Sequence, residues 1–278
     1  MHIPVPEQSD AHEGYADTPG TPLWYWDTGG KGTPIILCHP ASQSCQIWQY
    51  QQPVFSAAGY RVIAYSRRGH HRTAKGPHDD CGTTVGDLIS LMNVLDIQKA
   101  HILGAAAGGI TAMACAVAHP DRVHTLILAG TIVSPNEDEW RTLYGRLGLA
   151  AAKSAVSTEF LELGPSYRAS NPEGTALFAD LARKAKPHGP MTQPSGVNMT
   201  WSAMERTSVP TLLITGEADL YAPPPLQNLI ASHLPHTELA TFRTVGHAAY
   251  WEDPIQFNKI ILGFLARQKN MSHPLGST

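Results

Sequence analysis

The sequence predicts an α/β protein built on a mostly parallel sheet, with helices on both faces and one helical insertion. Short apolar runs rich in β-branched residues alternate with longer stretches whose apolar residues recur at helical spacing, the pattern of strands joined by crossover helices. At 278 residues and 42% apolar composition the chain can bury one large core or two unequal ones, and one main domain with an insertion is expected. The alternation breaks once, between about Ser134 and Thr207. That stretch of ~70 residues is too long for a bare loop.

In chain order, "PLWYWDTG" (22–29) reads as an antiparallel edge strand. The runs "TPIILCH" (33–39), "RVIAYS" (61–66), "AHILG" (100–104), "VHTLILAG" (123–130), "PTLLITG" (210–216) and "ELATFRT" (238–244) read as parallel strands. Helical spacing marks "TVGDLISLMNVLD" (84–96), "GGITAMACAVAHP" (108–120), "PPLQNLIASHL" (224–234) and "PIQFNKIILGFLARQ" (254–268). Pro254 suits a first helical turn, and the acidic pair Glu252 and Asp253 before it complements a helix N-terminus. Residues 134–207 hold helical patterns, no convincing strand and a Pro/Gly-rich middle. The division that follows is a core domain of residues 1–133 and 208–278, with a helical cap over it at 134–207.

The formal net charge of −3, with Lys and Arg scattered singly, gives no electrostatic footprint for nucleic acid or an anionic membrane. The expected partner is a small molecule, and oligomeric state is not readable. No segment approaches 18 uninterrupted apolar residues, and the N-terminus lacks a basic start and apolar run, so the expected location is the cytoplasm. Four cysteines without C-x-x-C pairing are expected as reduced thiols. His70, His71 and His78 beside Asp79 and Asp80 lack ligand spacing, and the expectation is no metal and no cofactor.

The chemistry concentrates in three segments. "HILGAAAGGITAMACAVAHP" (101–120) runs strand, small-residue turn, helix, the context of a G-x-S-x-G turn that mounts a nucleophile. Gly104, Ala105, Ala107, Gly108 and Gly109 supply the smallness that a strained turn needs, but Ala106 stands at its tip. A dinucleotide-binding turn is the competing reading of "GAAAGG", and it wants an acid at the end of the next strand, where the chain reads "LAGT". "TVGHAAYWEDP" places His247 between the last strand and the last helix, where an imidazole can act as general base toward the turn. "LLITGEADLYAPP" ends a strand with Glu217 and Asp219, and a carboxylate there would hold the imidazole in its useful tautomer.

Over nearly all its length the chain resembles the α/β-hydrolases. The resemblance implies a mostly parallel eight-stranded sheet and a triad in the chain order position 106, Asp219, His247. It favours Asp219 over Glu217. "ILCHPASQSCQIW" resembles the family's H-G-x-P loop, which implies an oxyanion hole from the amides of Ala41 and Ala107. Pro40 replaces a commoner Gly, but the donor needed is at Ala41. Ser42 is a further candidate contact, as are Trp140, Tyr144, Arg168, Met191 and Trp201 from the cap. Arg67 and Arg68 are read as structural.

Ala106 cannot attack, be acylated or share a proton with His247. Three readings stay open at this point: a serine hydrolase whose nucleophile has been deliberately replaced so that it traps ligand, a natural relative that binds without turnover, or another nucleophile near the oxyanion loop, Ser44 or Cys45. The reading favoured is hydrolysis of a small, mostly apolar ester or lactone through a Ser-His-Asp triad, inactivated here by Ala106. C–C bond hydrolysis of a ring-fission diketone is the runner-up, and haloperoxidase-like side activity fits the same motifs. Epoxide hydrolases and haloalkane dehalogenases need a carboxylate at the turn, which places them further away.

Overall fold

The computed structural model describes residues 3–148 and 156–272. Eight strands form one sheet: β1 (His12–Ala16), β2 (Leu23–Asp27), β3 (Pro34–Cys38), β4 (Arg61–Tyr65), β5 (Ala100–Ala105), β6 (Val123–Ala129), β7 (Thr211–Gly216) and β8 (Thr237–Phe242). Their spatial order is β1-β2-β4-β3-β5-β6-β7-β8. The β1–β2 and β2–β4 pairs are antiparallel, and every later pair is parallel. The expectation for 22–29 is corrected in one respect: its strand is antiparallel but not the edge. β1 lies outside it, in the segment "HEGYA", which is mostly exposed and so carries no apolar run to betray it.

Helices α1 (Gln52–Ala57), α2 (Thr84–Val94) and α3 (Ala107–Ala118) fall between the early strands. Between β6 and β7 come α4 (Asp138–Gly145), α5 (Thr158–Glu162), α6 (Pro165–Ser170), α7 (Pro172–Lys184) and α8 (Trp201–Glu205). After β7 follow α9 (Pro224–Ser232), α10 (Ala249–Glu252) and α11 (Pro254–Ser272). Local chemistry sets several starts. The Thr83 hydroxyl accepts the Gly86 amide at 3.0 Å below α2, and Asn171 does the same for Gly174 at 2.9 Å below α7.

Period-2 alternation divides the strands between two cores. Ile36, Cys38, Ile102, Leu126 and Leu213 face one side, against Leu88 and Met92 of α2, Met113 of α3 and Ile230 of α9. Ile35, Leu37, Leu103, Ile127 and Ile214 face the other, against Phe55 of α1, Trp251 of α10 and Phe257 and Phe264 of α11. Both faces of β3 to β7 are largely dry, which is why these strands read as apolar runs, while the outer strand β8 is partly exposed.

Glu252 departs from its expected role. Asp253 does accept the Gln256 amide at 3.2 Å, but the Glu252 carboxylate is buried and accepts the amides of Gly246 at 2.9 Å and Gly164 at 3.0 Å. It fastens the segment before His247 to the segment between α5 and α6, and burial raises its carboxyl to about 7 against those donors. Arg68 is held by both oxygens of Asp87, at 2.8 and 2.9 Å, and by the Pro19 carbonyl at 2.7 Å. Among the described residues no helix is long and apolar enough to cross a membrane, and no group of three His, Cys, Asp or Glu could hold a metal ion.

Candidate active site

Strand β5 turns directly into α3, and the residue at the tip carries the consequence. Ala106 sits at φ 48°, ψ −114°, a left-handed conformation that costs a non-glycine residue about 1–3 kcal/mol. Its amide donates to the Ala129 carbonyl at 2.9 Å and its own carbonyl accepts the amides of Gly109 and Ile110 at 3.0 and 3.3 Å, so the strained tip is held from both sides. Small neighbours make room for it. A Cβ on Gly108 would run into the Cys38 carbonyl, and one on Gly104 would stand 2.5 Å from the Gly109 Cα.

His247, the candidate base, comes from the loop after β8. His247 Nδ1 lies 3.0 and 2.9 Å from the two Asp219 oxygens. A carboxylate only accepts, so Nδ1 carries the hydrogen and Nε2 keeps its lone pair when the ring is neutral. Asp219 is itself fixed, its Oδ1 accepting the amides of Tyr221 at 2.7 Å and Ala222 at 2.9 Å. Glu217 is exposed, which decides between the two acids on geometry. Burial on its own pulls the His247 imidazole down, but the carboxylates of Asp219, Glu162 and Glu252 together outweigh it and hold the ring above its ordinary value.

The loop after β3 supplies the opposite wall. His39 is buried, donating from Nδ1 to the Pro40 carbonyl at 2.8 Å and accepting the Arg67 amide at Nε2 at 3.0 Å. His70 reaches the Ala41 carbonyl at 3.1 Å. These two rings pin the backbone that presents Ala41. Ala107 is the first residue of α3, where main-chain N–H groups have no partner within the helix and the helix dipole is positive.

Ala41, Ser42, Ala106, Ala107 and His247 line one cavity of about 380 Å³. Ile110, Ile132, Leu161 and Val156 give it apolar walls, and Tyr144, Glu162, Lys186 and Tyr221 add polar groups. Of the cap candidates only Tyr144 reaches it. Trp140 is core, stacked on Tyr144 at 5.8 Å and edge-on to Trp201 at 6.2 Å. Trp201 in turn stacks on His233 at 4.1 Å. Arg168 lies over the Phe160 ring at 4.3 Å and donates to the Leu163 carbonyl, and Met191 packs beside Gly69. Trp140, Trp201, Arg168 and Met191 are not among the residues lining the cavity: the two indoles pack in the core, and Arg168 is held by the Phe160 ring and the Leu163 carbonyl. Cys45 is also removed from it, buried with its sulfur 3.2 Å from the Ser66 hydroxyl and its thiol pushed up to about 11 by burial. Ser44 caps the short helix Cys45–Trp48.

Glu162, Lys186 and Tyr221 are cavity residues that the sequence reading missed. Glu162 accepts the Ser42 hydroxyl hydrogen at 2.8 Å, and Tyr221 packs on the His247 ring at 4.7 Å. Tyr221 lies two residues beyond Asp219 and could have been found from that spacing. Glu162 and Lys186 carry no motif.

The model of the alpha/beta hydrolase family matches residues 35–260. Among characterised relatives, the bifunctional epoxide hydrolase 2 of Sus scrofa is 22% identical over 89% of this chain, which spans about half, 54%, of that longer protein. A thermophilic esterase from Thermogutta terrifontis superposes with a TM-score of 0.76 at 23% identity, covering 94% of this chain and 99% of the esterase. The enol-lactonase from Burkholderia xenovorans LB400 gives 0.74 at 22% identity, covering 91% and 100%. At such identities the structural likenesses establish the fold. With the family model spanning β4 to β8 and nearly all of β3, the turn at Ala106 and the loops of Asp219 and His247, this chain belongs to the alpha/beta hydrolase family.

Proposed function

We propose that the cavity over Ala106 is a site for hydrolysis of small, mostly apolar esters or lactones, in a form that lacks its nucleophilic oxygen. One observation carries the reading: a non-glycine residue is held at φ 48° at the tip of the β5–α3 turn, in the cavity shared with a His247–Asp219 pair and the Ala41 and Ala107 main chain. Strain of this kind persists only where the surroundings enforce it, and a methyl group gives it no chemical use.

In the proposed reaction a hydroxyl at position 106 attacks the carbonyl carbon while His247 Nε2 takes its proton. The amides of Ala41 and Ala107 receive the developing oxyanion. The imidazolium, steadied by Asp219, then protonates the leaving alcohol, and a water activated by His247 releases the acid. Only side chains, amides and water are used. The cavity volume of about 380 Å³ falls in the range of roughly 300–1,000 Å³ usual for small-molecule sites. As it stands the chain cannot form an acyl-enzyme at position 106, so any hydrolysis it performs runs by direct attack of water, more slowly than through a hydroxyl there.

The test is a panel of short-chain 4-nitrophenyl esters and δ-lactones offered to the chain and to an Ala106→Ser variant. Turnover in the variant is expected to exceed that of the chain by on the order of 10⁶, the cost of removing a triad hydroxyl. A variant that folds, binds and turns over none of them contradicts the proposal.

A further inference from the structure

Glu162 occupies an unusual position for a carboxylate. It ends α5, and its main-chain carbonyl accepts the amides of His247 at 2.8 Å and Ala248 at 3.2 Å, so its backbone is fixed beside the base. Its side chain runs the other way, to the Ser42 hydroxyl at 2.8 Å, next to Ala41 in the oxyanion loop. Glu162 thus lines the same cavity as Ala41, Ala106 and His247, tied by its main chain to the segment of the base and by its carboxylate to the oxyanion loop. Glu162 is 7% exposed. Its hydrogen-bond partner is a neutral hydroxyl, and Lys186 acts on it through space, without an ion pair among the described residues. Burial raises its carboxyl, with His247, Ser42 and Lys186 opposing. Burying an acid this way is costly, and the cavity is the place where such a cost is repaid by function.

We propose that Glu162 is a second proton-transfer residue of this site, the acid that serves a direct attack of water on the bound ester or lactone. The inference rests on the reading of the cavity given above. Without a hydroxyl at position 106 there is room for a water beside Ala106. His247 Nε2 takes a proton from that water as its oxygen bonds to the carbonyl carbon, and the oxyanion forms against the amides of Ala41 and Ala107. On collapse the bond from carbon to the leaving oxygen breaks, and that oxygen takes its proton from the Glu162 carboxyl. The proton on the imidazolium then passes through solvent to the Glu162 carboxylate, so one water is consumed and both groups are restored. His247, Asp219, Lys186, Tyr221 and Tyr250 are the titratable groups that act on Glu162 or are acted on by it, and they set its proton affinity.

Leaving-group dependence tests this role, because 4-nitrophenolate departs unaided and an alkoxide does not. Hydrolysis of ethyl acetate and of 4-nitrophenyl acetate is measured for the chain, for Glu162→Gln, and for Ala106→Ser. Glu162→Gln is expected to slow ethyl acetate by about 10²-fold or more and 4-nitrophenyl acetate by less than about fivefold. The bell-shaped pH profile on ethyl acetate, which needs a neutral imidazole and a protonated acid, is expected to become a single rise with pH in Glu162→Gln. Equal slowing of both esters with the bell intact overturns the proposal. If Glu162→Gln does not fold, the profile of the unsubstituted chain decides: a bell supports the acid and a single rise overturns it. Turnover of both esters by Ala106→Ser, with none by the unsubstituted chain, overturns the role of Glu162 and leaves the ester site standing. No turnover by either protein overturns both.

Discussion

The loops at the ends of β5, β7 and β8 and the helical segment between β6 and β7 both face the cavity, but they are built differently. In the loops each candidate residue sits within a few residues of a strand end and is held by main-chain bonds, Asp219 by the amides of Tyr221 and Ala222 and His247 by its own amide to the Glu162 carbonyl. In the helical segment the cavity residues Tyr144, Glu162 and Lys186 are scattered over short helices and turns, and most of the large side chains pack on one another. The difference teaches that the candidate residues at the strand ends are fixed by short local bonds, while those of the helical segment reach the cavity only through packing of separate short helices.

Breaking the strand-end set has the largest expected effect. In the Ala106→Ser variant, Asp219→Asn is expected to lower kcat by about 10⁴, because the imidazole loses the acceptor that fixes its tautomer. The same variant with Asp219 intact is expected to lose activity on acidification through a midpoint above the ordinary imidazole value of 6.5. The sign follows from the base: it works only when neutral, and the carboxylates around His247 keep it protonated to higher pH. A midpoint below 6.5 in the pH dependence of kcat/KM contradicts the electrostatics described.

Within the helical segment the contrast sharpens between two stacked rings. Trp140→Ala is expected to cost about 3–5 kcal/mol of stability by emptying the core under α4, with KM unchanged in protein that remains folded. Tyr144→Ala, at the cavity wall, is expected to shift KM severalfold with a smaller loss in denaturant midpoint. Gly108→Ala probes the other region. Its methyl would meet the Cys38 carbonyl, a backbone atom that cannot swing away, and a loss of about 1–3 kcal/mol in urea unfolding is expected. An unchanged midpoint would show that the turn has slack.

This contrast also explains what the sequence disclosed. Asp219 and His247, singled out just beyond strand ends, are brought together by the fold. Six parallel strands and the small-residue turn after β5 were legible because most of these strands are buried and read as apolar runs. β1 was not, since its exposed residues show no apolar period, and α1 is six residues long. Glu252 was read as a helix-start acid and is a buried clamp between two loops, a role that exists only in three dimensions. Glu162 is in the same position: its place beside His247 and Ser42 comes from tertiary packing of a segment whose sequence has no period or motif. Trp140 and Trp201 looked like pocket aromatics and are core, because composition cannot tell which side of a short helix faces inward.

The central claim is that this site is an assembled acyl-transfer centre short of one oxygen. Intact-mass analysis after treatment with a fluorophosphonate, of the chain beside the Ala106→Ser variant, tests it most directly. A single phosphonyl adduct on the variant at position 106, and none on the chain, is the predicted result. Failure of the folded variant to label would show that His247 and Asp219 are not poised to activate a hydroxyl there, and would contradict the account.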